Sequence, residues 1–350
     1  MGALDELRTA VDRLAGRAYV RSRTARASVL TGAMGVYARL ALGLRARRSE
    51  AEAARLRELL VQLFEDDWRD ARAGYYPERL VGLPWAEYAR AAPRLLADAP
   101  RVRARRRRHE HDDLDPAAAP ERYPRYYARN FHYQTDGYLG HASAAIYDLQ
   151  VELLFGGTAD AMRRRLVPPV VDFARAGGFG RARPLKLLDV ACGTGHLLRM
   201  LGQALPSARL VGVDLSPHYV ARARALLPKE LDLSLVVDNA EALPFPAAHF
   251  DVVTNLFLLH ELPPQVRARV LGEVLRVLKP GGRAVIADSL QLRDAPVLED
   301  EIENFPRMLH EPYYLSFVKD DLAARLAEAG LVVESERLAF LTKVVVARKP

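Results

Sequence analysis

A doubly wound α/β sheet behind a helical N-terminal region is the fold that this sequence predicts, on three observations. In Lys186-Leu-Leu-Asp-Val-Ala-Cys-Gly-Thr-Gly-His-Leu-Leu198, a short apolar run holding one acid, Asp189, enters a loop of small residues before helical spacing resumes at Leu197, Leu198 and Leu201. That order reads as strand, tight turn and helix. A second strand, Arg209-Leu-Val-Gly-Val-Asp214, ends in an acid about 20 residues beyond the glycines, where folds of this class place a ribose-binding carboxylate. Strand and helix patterns then alternate regularly, which calls for a parallel sheet with right-handed crossovers.

Residues 1–100 read as a helical accessory domain. Leu4, Leu7, Val11 and Leu14 recur at spacings of three and four, and Leu56, Leu59, Leu60, Leu63 and Phe64 repeat the pattern of a helix with one apolar face. Gly74, Pro77, Gly82, Pro84 and Pro93 break the pattern after Phe64. Val29–Leu44 is rich in small and apolar residues, but Arg39 interrupts it and it is short for a membrane span. Arg101-Val-Arg-Ala-Arg-Arg-Arg-Arg108 and the acids after it form a charged linker expected over 101–122, because runs of like charge are usually solvated and Pro116 and Pro120 close the segment. Clustered arginines also suit a phosphate or RNA partner. No aromatic residue interleaves the run, however, and the neighbouring acids can neutralise it.

Residues 123–180 read as an aromatic segment followed by lead-in helices. Tyr123 to Tyr138 holds five tyrosines with Phe131, His132, Asn130, Gln134 and Asp136. This mixture of apolar rings and polar handles suits a pocket wall, the alternative being a packed interdomain segment.

From 181 to 350 strands are expected near 186–190, 209–214, 234–237, 250–255 and 283–288, with helices near 196–204, 217–227 and 264–278. A helix to Ala329, a stop at Gly330 and two closely linked strands, Leu331–Arg337 and Leu341–Ala347, end the chain, the last pair antiparallel. Gly193 and Gly195 permit a sharp turn and leave no Cβ between the main chain and a ligand above it. The third glycine of a dinucleotide fingerprint is replaced by Leu198, which weakens a pyrophosphate reading and leaves a nucleoside-containing cofactor.

Asp189-x-Ala191-x-Gly193-x-Gly195 resembles motif I of the class I S-adenosylmethionine-dependent methyltransferases, with Ala191 standing where the family more often has glycine. Val237-Asp-Asn-Ala-Glu-Ala-Leu-Pro-Phe-Pro246 with Phe250–Asn255 resembles the segment which that family usually writes Gly-Asp-Ala-Glu, and the Pro280-Gly281-Gly282 turn matches its hairpin before the fifth strand. The resemblance covers roughly residues 137–350. It implies a Rossmann-like sheet of seven strands with one antiparallel strand, and S-adenosyl-L-methionine as cofactor. It places Asp214 on the ribose hydroxyls with Leu215 beside it, and Asp189 near the methionine ammonium. Ala191, Gly193, Gly195 and Asn255 fall to the cofactor with them. Aligned on Ala240-Glu241, either Asp238 or Asn239 meets the adenine amino group, since Asn can accept through its amide oxygen.

Methyl transfer from a sulfonium is an in-line displacement whose rate owes much to positioning. His260, in Leu258-Leu-His-Glu-Leu-Pro263, resembles the His-Asp pair of small-molecule O-methyltransferases, and a neutral imidazole there could take an acceptor's proton near pH 7. Packing beside the cofactor is its other reading. By the same resemblance the tyrosine segment is a lid, with Tyr138 near the cofactor and His132 and Tyr133 facing the acceptor. Tyr127, Phe131 and Gln134 join it as substrate contacts, with His310, Tyr313 and Tyr314 from the long insertion before the last helix. No metal is implied.

Cytosine carbon methylation needs a cysteine nucleophile, and the sole Cys192 lies in the glycine loop. The Asn-Pro-Pro-Tyr motif used on planar amino groups is missing, because Leu256 follows Asn255. A small acceptor is left, aromatic or polyketide-like, methylated at oxygen ahead of carbon or nitrogen, and nucleic acid is not an expected partner. The alternatives are an RNA or protein methyltransferase docking through the arginine run, and a cofactor-binding protein that transfers no methyl group.

Composition sets the outer bounds. At 350 residues and 50% hydrophobic content the chain can bury a large core, which excludes a disordered polypeptide. The net charge of +7 is almost wholly arginine, since lysine occurs only at 186, 229, 279, 319, 343 and 349. One cysteine excludes an internal disulfide and fits a reducing compartment. No apolar run of membrane length and no secretory leader pattern is present, so a cytoplasmic protein without a membrane partner is the expectation. The helical N-terminal region could serve as a homodimer interface.

Overall fold

Alternation along each strand decides which layer it faces. In β1 (Lys186–Val190), Leu187 joins the core on one side of the sheet while Leu188 and Val190 join the core on the other. A strand buried on both faces belongs in the middle of a parallel sheet. The computed structural model describes residues 3–37, 48–77, 85–110, 112–114 and 119–350, and β1 is central in it. The seven strands, continuing with β2 (Arg209–Asp214), β3 (Leu233–Val237), β4 (Phe250–Leu256), β5 (Leu278–Ser289), β6 (Val332–Ala339) and β7 (Thr342–Arg348), lie in the order β3-β2-β1-β4-β5-β7-β6. Only β7 is reversed, pairing antiparallel with both β5 and β6. This is the Rossmann-like sheet expected from the sequence. Its order reverses between β1 and β4, so the crevice for ligands opens at their carboxyl ends.

Ahead of the sheet stand α1 (Ala3–Tyr37), α2 (Glu50–Arg72), α3 (Trp85–Arg108), and the lead-in helices α4 (His141–Leu154), α5 (Ala159–Arg164) and α6 (Val167–Ala176). The arginine run expected as linker forms the last two turns of α3, and Pro93, expected as a breaker, lies inside the same helix. Arginine is a good helix former. Ala91 and Leu95 of α3 pack with Leu149 and Leu153 of α4, which holds the helix through its prolines. Arg105 is buried and donates to Asp113 at 3.2 Å and Thr135 at 3.0 Å, so part of the basic run is engaged within the molecule. The expected breakers Gly82 and Pro84, the Asp115–Ala118 part of the linker and residues 38–44 of the Ala-rich stretch lie outside the described residues. Among the described residues no helix is long and apolar enough to cross a membrane.

Crossover helices α7 (His196–Ala204), α8 (Pro217–Leu226) and α9 (Pro264–Val277) match their expected spans within a residue. The fifth strand begins earlier than its apolar run, at Leu278, because the Pro280-Gly281-Gly282 turn is drawn into the sheet. A side chain at Gly282 would meet Asp251 O and Lys279 O at 2.9 Å, so glycine is required there. The insertion after β5 supplies α10 (Glu299–Leu309) and α11 (Tyr314–Val318) before the closing α12 (Leu322–Glu328).

The α2 helix is started by Ser49, whose hydroxyl accepts from Glu52 N while Ser49 N donates back to Glu52. Leu63 and Phe64 then bury in the same core as Leu187. Beside them Asp67, fully buried, accepts from Arg164 Nε and Nη2, each at 2.7 Å, from Tyr19 at 2.6 Å and from Tyr76 at 2.7 Å. Burial would raise its pKa, but Arg164 and these donors bring it below the ordinary carboxylate range. One charged group thereby ties α1 and α2 to α5. Breaking a buried pair from one side leaves the other charge uncompensated. Asp67→Asn is therefore expected to lower unfolding free energy by about 3 kcal/mol in urea titration, whereas a loss below about 1 kcal/mol would show that the helical layer is held by apolar packing alone.

Candidate active site

The turn between β1 and α7 is built from residues that tolerate left-handed backbone. Ala191, Gly193 and Gly195 have φ of +56°, +54° and +82°. Two are glycines, and Ala191 holds a conformation that disfavours a Cβ by about 1–2 kcal/mol. The close packing that a third glycine would give from the helix side comes instead from the neighbouring strand. A Cβ at Gly212 would lie 2.7 Å from Leu198 and 2.8 Å from Cys192, so the bare position 212 lets the start of α7 sit close against β2.

Asp214 at the end of β2 fixes this turn in space. Its two oxygens accept from Gly193 N at 2.8 Å and Ser216 N at 2.9 Å. Around it opens a cleft at the carboxyl edge of the sheet. Ala191, Gly193, Asp214, Leu215, Asp238, Asn239 and Ala240 line it on the sheet side. Three expected residues stand behind that wall. Asp189 accepts from Thr254 Oγ1 at 2.7 Å; burial pushes its pKa up, and with Asp214 adding to this it reaches about 7. Asn255 Nδ2 donates to Val190 O at 2.8 Å, and Gly195 is the cap residue just before α7. Asp189 and Asn255 knit β1 to β4, where the cleft has its floor. At the far end Asn239 Oδ1 accepts from Glu241 N at 2.9 Å, and Asp238 accepts from Asn239 N at 2.8 Å.

The family profile described as "Methyltransferase domain" matches residues 187–282, the span that holds this wall. Over those residues the chain carries a class I S-adenosylmethionine-dependent methyltransferase domain. Among curated relatives, a demethylmenaquinone methyltransferase of Thermus thermophilus is 38% identical over 143 residues, 41% of this chain and 60% of its own. A ubiquinone/menaquinone biosynthesis C-methyltransferase of Pseudomonas paraeruginosa is 35% identical over 152 residues, 42% and 55% of the two chains. A 27-O-demethylrifamycin SV methyltransferase of Amycolatopsis mediterranei is 35% identical over 153 residues, 43% and 55%. The chain thus spans somewhat more than half the length of these relatives.

The methyltransferase domain is roofed by the tyrosine-rich segment. Tyr138 stacks on Phe131 at 5.1 Å and meets Tyr219 edge-on at 5.9 Å, while Tyr127 lies 6.2 Å from it and Tyr147 6.1 Å. Tyr126, Tyr127, Tyr138, Tyr147 and Tyr219 all face the cleft. Two bonds lock the roof to the sheet: Tyr126 donates to Glu241 at 2.5 Å and Tyr138 to Glu261 at 2.6 Å. The expected aromatic residues Tyr133, His310, Tyr313 and Tyr314 sit farther out. Tyr133 and His310 have ring centroids 5.4 Å apart, Tyr313 packs behind Phe131 and Tyr138, and Tyr314 binds Ser289 at 2.7 Å. Gln134 faces a second, small and mainly apolar cavity between α1, α3 and α4, which His132 also lines.

His132 and His260 come together with two acids, Glu311, read from the sequence together with His310 as a site of substrate contacts, and Glu261, which no sequence pattern singled out. His132 Nε2 contacts Glu311, and His260 Nδ1 lies 2.6 Å from Asp288 with Nε2 4.0 Å from Glu261. The neutral imidazole expected at His260 is not what these surroundings favour. Burial depresses its pKa, but Asp288, Glu311 and Glu261 outweigh that and raise it to about 9, so the ring is cationic at neutral pH. Burial and Glu311 push Glu261 up to about 7. Glu311 is separated by 50 positions from Glu261, and only the path of the insertion after β5 brings it near.

Behind the glycine loop, Thr194 donates to Asp148 at 2.6 Å, and the buried His196 lies between Asp148 and Asp160, 3.3 Å from each. Burial opposes the imidazolium, but the two acids raise its pKa to about 9. Since the folded value exceeds the unfolded 6.5, this contribution to stability is complete below pH 6.5 and lost as pH rises towards 9. Urea titrations at pH 6 and pH 9 are expected to show a smaller loss on alkalinisation in His196→Gln than in wild type, by about 2–3 kcal/mol. Equal losses would mean that His196 holds no extra proton in the folded state.

Proposed function

We propose that this chain transfers the methyl group of S-adenosylmethionine to a small-molecule acceptor, at oxygen ahead of carbon or nitrogen. The observation that carries the reading is a cleft at the carboxyl edge of the sheet with a bare glycine loop and Asp214 on one side and a five-tyrosine cage on the other. In this reading Asp214 keeps its main-chain bonds and uses its remaining lone pairs on the ribose hydroxyls. Asn239 Oδ1 is already taken by Glu241 N, which leaves Asp238 the better acceptor for the adenine amino group. The tyrosine faces suit a sulfonium, which has no proton to give and is held by charge and ring quadrupoles. Asp189, bonded to Thr254 behind the loop, would act on the ammonium at one remove, through the shape and charge of the floor.

The acceptor would enter beside Glu261 and Tyr138, where the polar cluster meets the cleft. A cluster of His132, His260, Glu261 and Glu311 is of use to an acceptor that presents oxygen. The named relatives include both a carbon methyltransferase and one whose name places the missing methyl on O-27, so similarity alone leaves the acceptor atom open. The second cavity beyond His132 would take an apolar part of the acceptor. Burial of Arg105 inside the fold counts against a docking role for the whole arginine run.

Calorimetric titration with S-adenosylmethionine and S-adenosylhomocysteine tests the cofactor. Both should bind wild type, and Asp214→Ala should weaken each by roughly 10–100-fold, the effect of losing charge-assisted hydrogen bonds of about 1.5–3 kcal/mol. Failure of either ligand to bind at millimolar concentration while a nicotinamide dinucleotide does would remove the reading.

A further inference from the structure

The short turn after β4 and the chain after α10 meet in one largely buried place, His260 and Glu311 buried and Glu261 partly exposed to the cleft, with the donor set of a metal centre. A ring nitrogen of His260 and one carboxylate oxygen from each of Glu261 and Glu311 lie within 4.8 Å of one another. His260 is 8% exposed and Glu311 3%. Asp288 occupies Nδ1 of His260 at 2.6 Å and so fixes the ring with Nε2 directed at Glu261, the arrangement in which a carboxylate orients a metal-binding imidazole, and a bound ion takes the place of the Nε2 proton. Glu311 contacts His132 through Oε1, while its Oε2 is buried with no partner among the described residues. A carboxylate oxygen shut away from water needs a cation or a donor. An imidazole with two carboxylates suits a divalent transition metal, and a contraction of about 1 Å would bring the three donors to the separations set by metal bonds of about 2.1 Å.

We propose that His260, Glu261 and Glu311 hold a divalent transition-metal ion on the wall of the cleft, with Asp288 positioning His260 and His132 positioning Glu311, and that the ion takes an acceptor bearing two adjacent oxygens, such as a catechol or an ortho-hydroxycarbonyl. The inference rests on the methyltransferase reading for its acceptor and on the donor set alone for its metal. Three protein ligands leave positions open for the acceptor oxygens, and Glu261, which lines the cleft, puts those positions beside the bound cofactor. Coordination makes the acceptor hydroxyl more acidic, and its proton leaves to water. The freed oxygen lone pair then forms the O–CH₃ bond as the C–S bond breaks, its electron pair going to sulfur. S-adenosylhomocysteine leaves as a neutral thioether.

The test uses the full chain dialysed against chelator, titrated with Mn²⁺ followed by electron paramagnetic resonance and with Zn²⁺ followed by calorimetry. S-adenosylhomocysteine binding is measured on the same samples. Wild type should bind one ion per chain. Glu311→Gln and His260→Ala should abolish that binding while keeping S-adenosylhomocysteine affinity, and Asp288→Asn should weaken it by roughly 10–100-fold, as loss of an outer partner does. Should neither ion bind at millimolar concentration, or bind equally well to Glu311→Gln, the metal site is overturned and the cofactor reading stands. Metal binding without S-adenosylhomocysteine binding would keep the site and remove its role in methyl transfer.

Discussion

The carboxylate of Asp214 is the constraint from which the site is built. A loop with three alternate residues at positive φ has little stiffness of its own, and it is held because Asp214 takes Gly193 N and Ser216 N with its two oxygens. Those bonds join the β1 turn to the start of α8. Burial raises the Asp214 pKa while the main-chain donors lower it. The same residue therefore serves as brace and as cleft wall, and the cleft can exist only where the turn and the strand end agree.

The second support is a set of buried charges arranged around the sheet's lead-in helices. Asp67 with Arg164 binds the N-terminal helices to α5, and Asp148 with His196 and Asp160 binds α4 and α5 to the start of α7. Each group is matched by partners of opposite charge, which is what makes ionised groups tolerable in a core. The helical region is thus fastened to the methyltransferase domain by charge as well as by Leu63 and Phe64. Its helices also supply walls to the cavity beyond His132, so they contribute to the shape of the candidate acceptor space.

The roof and the polar cluster are coupled through Tyr138. Its ring is part of the cage and its hydroxyl donates to Glu261, one residue from His260. His132 and Tyr133 at the turn of the roof both hold positive φ, of +54° and +56°, without being glycine. That backbone aims His132 at Glu311, a contact across 179 positions of sequence. Residues at sparsely populated backbone angles persist where surrounding contacts over-determine them. Here those contacts are the ones that gather the cluster.

Short-range patterning was enough to read the sheet, the turn and the residues of its wall. Period-two burial, bare glycines and strand-end acids act over a few neighbours, so Ala191, Gly193, Asp214 and the 238–240 segment could be read without knowing where the chain goes next. Physics over long separations decided the rest. The arginine run became helix as the continuation of a segment that packs on α4 through Ala91 and Leu95, with Arg105 held by Asp113 and Thr135; Asp189 and Asn255 went to strand-to-strand bonds behind the cleft; and close packing of α7 came from Gly212 of β2 and Gly202 of the helix rather than from a glycine at position 198. Glu261 and Glu311 carry no local signal of partnership, and the charge state of His260 is set by Asp288, Glu261 and Glu311 together. Electrostatic neighbourhoods depend on which distant segments share a buried volume, and only the tertiary structure fixes that.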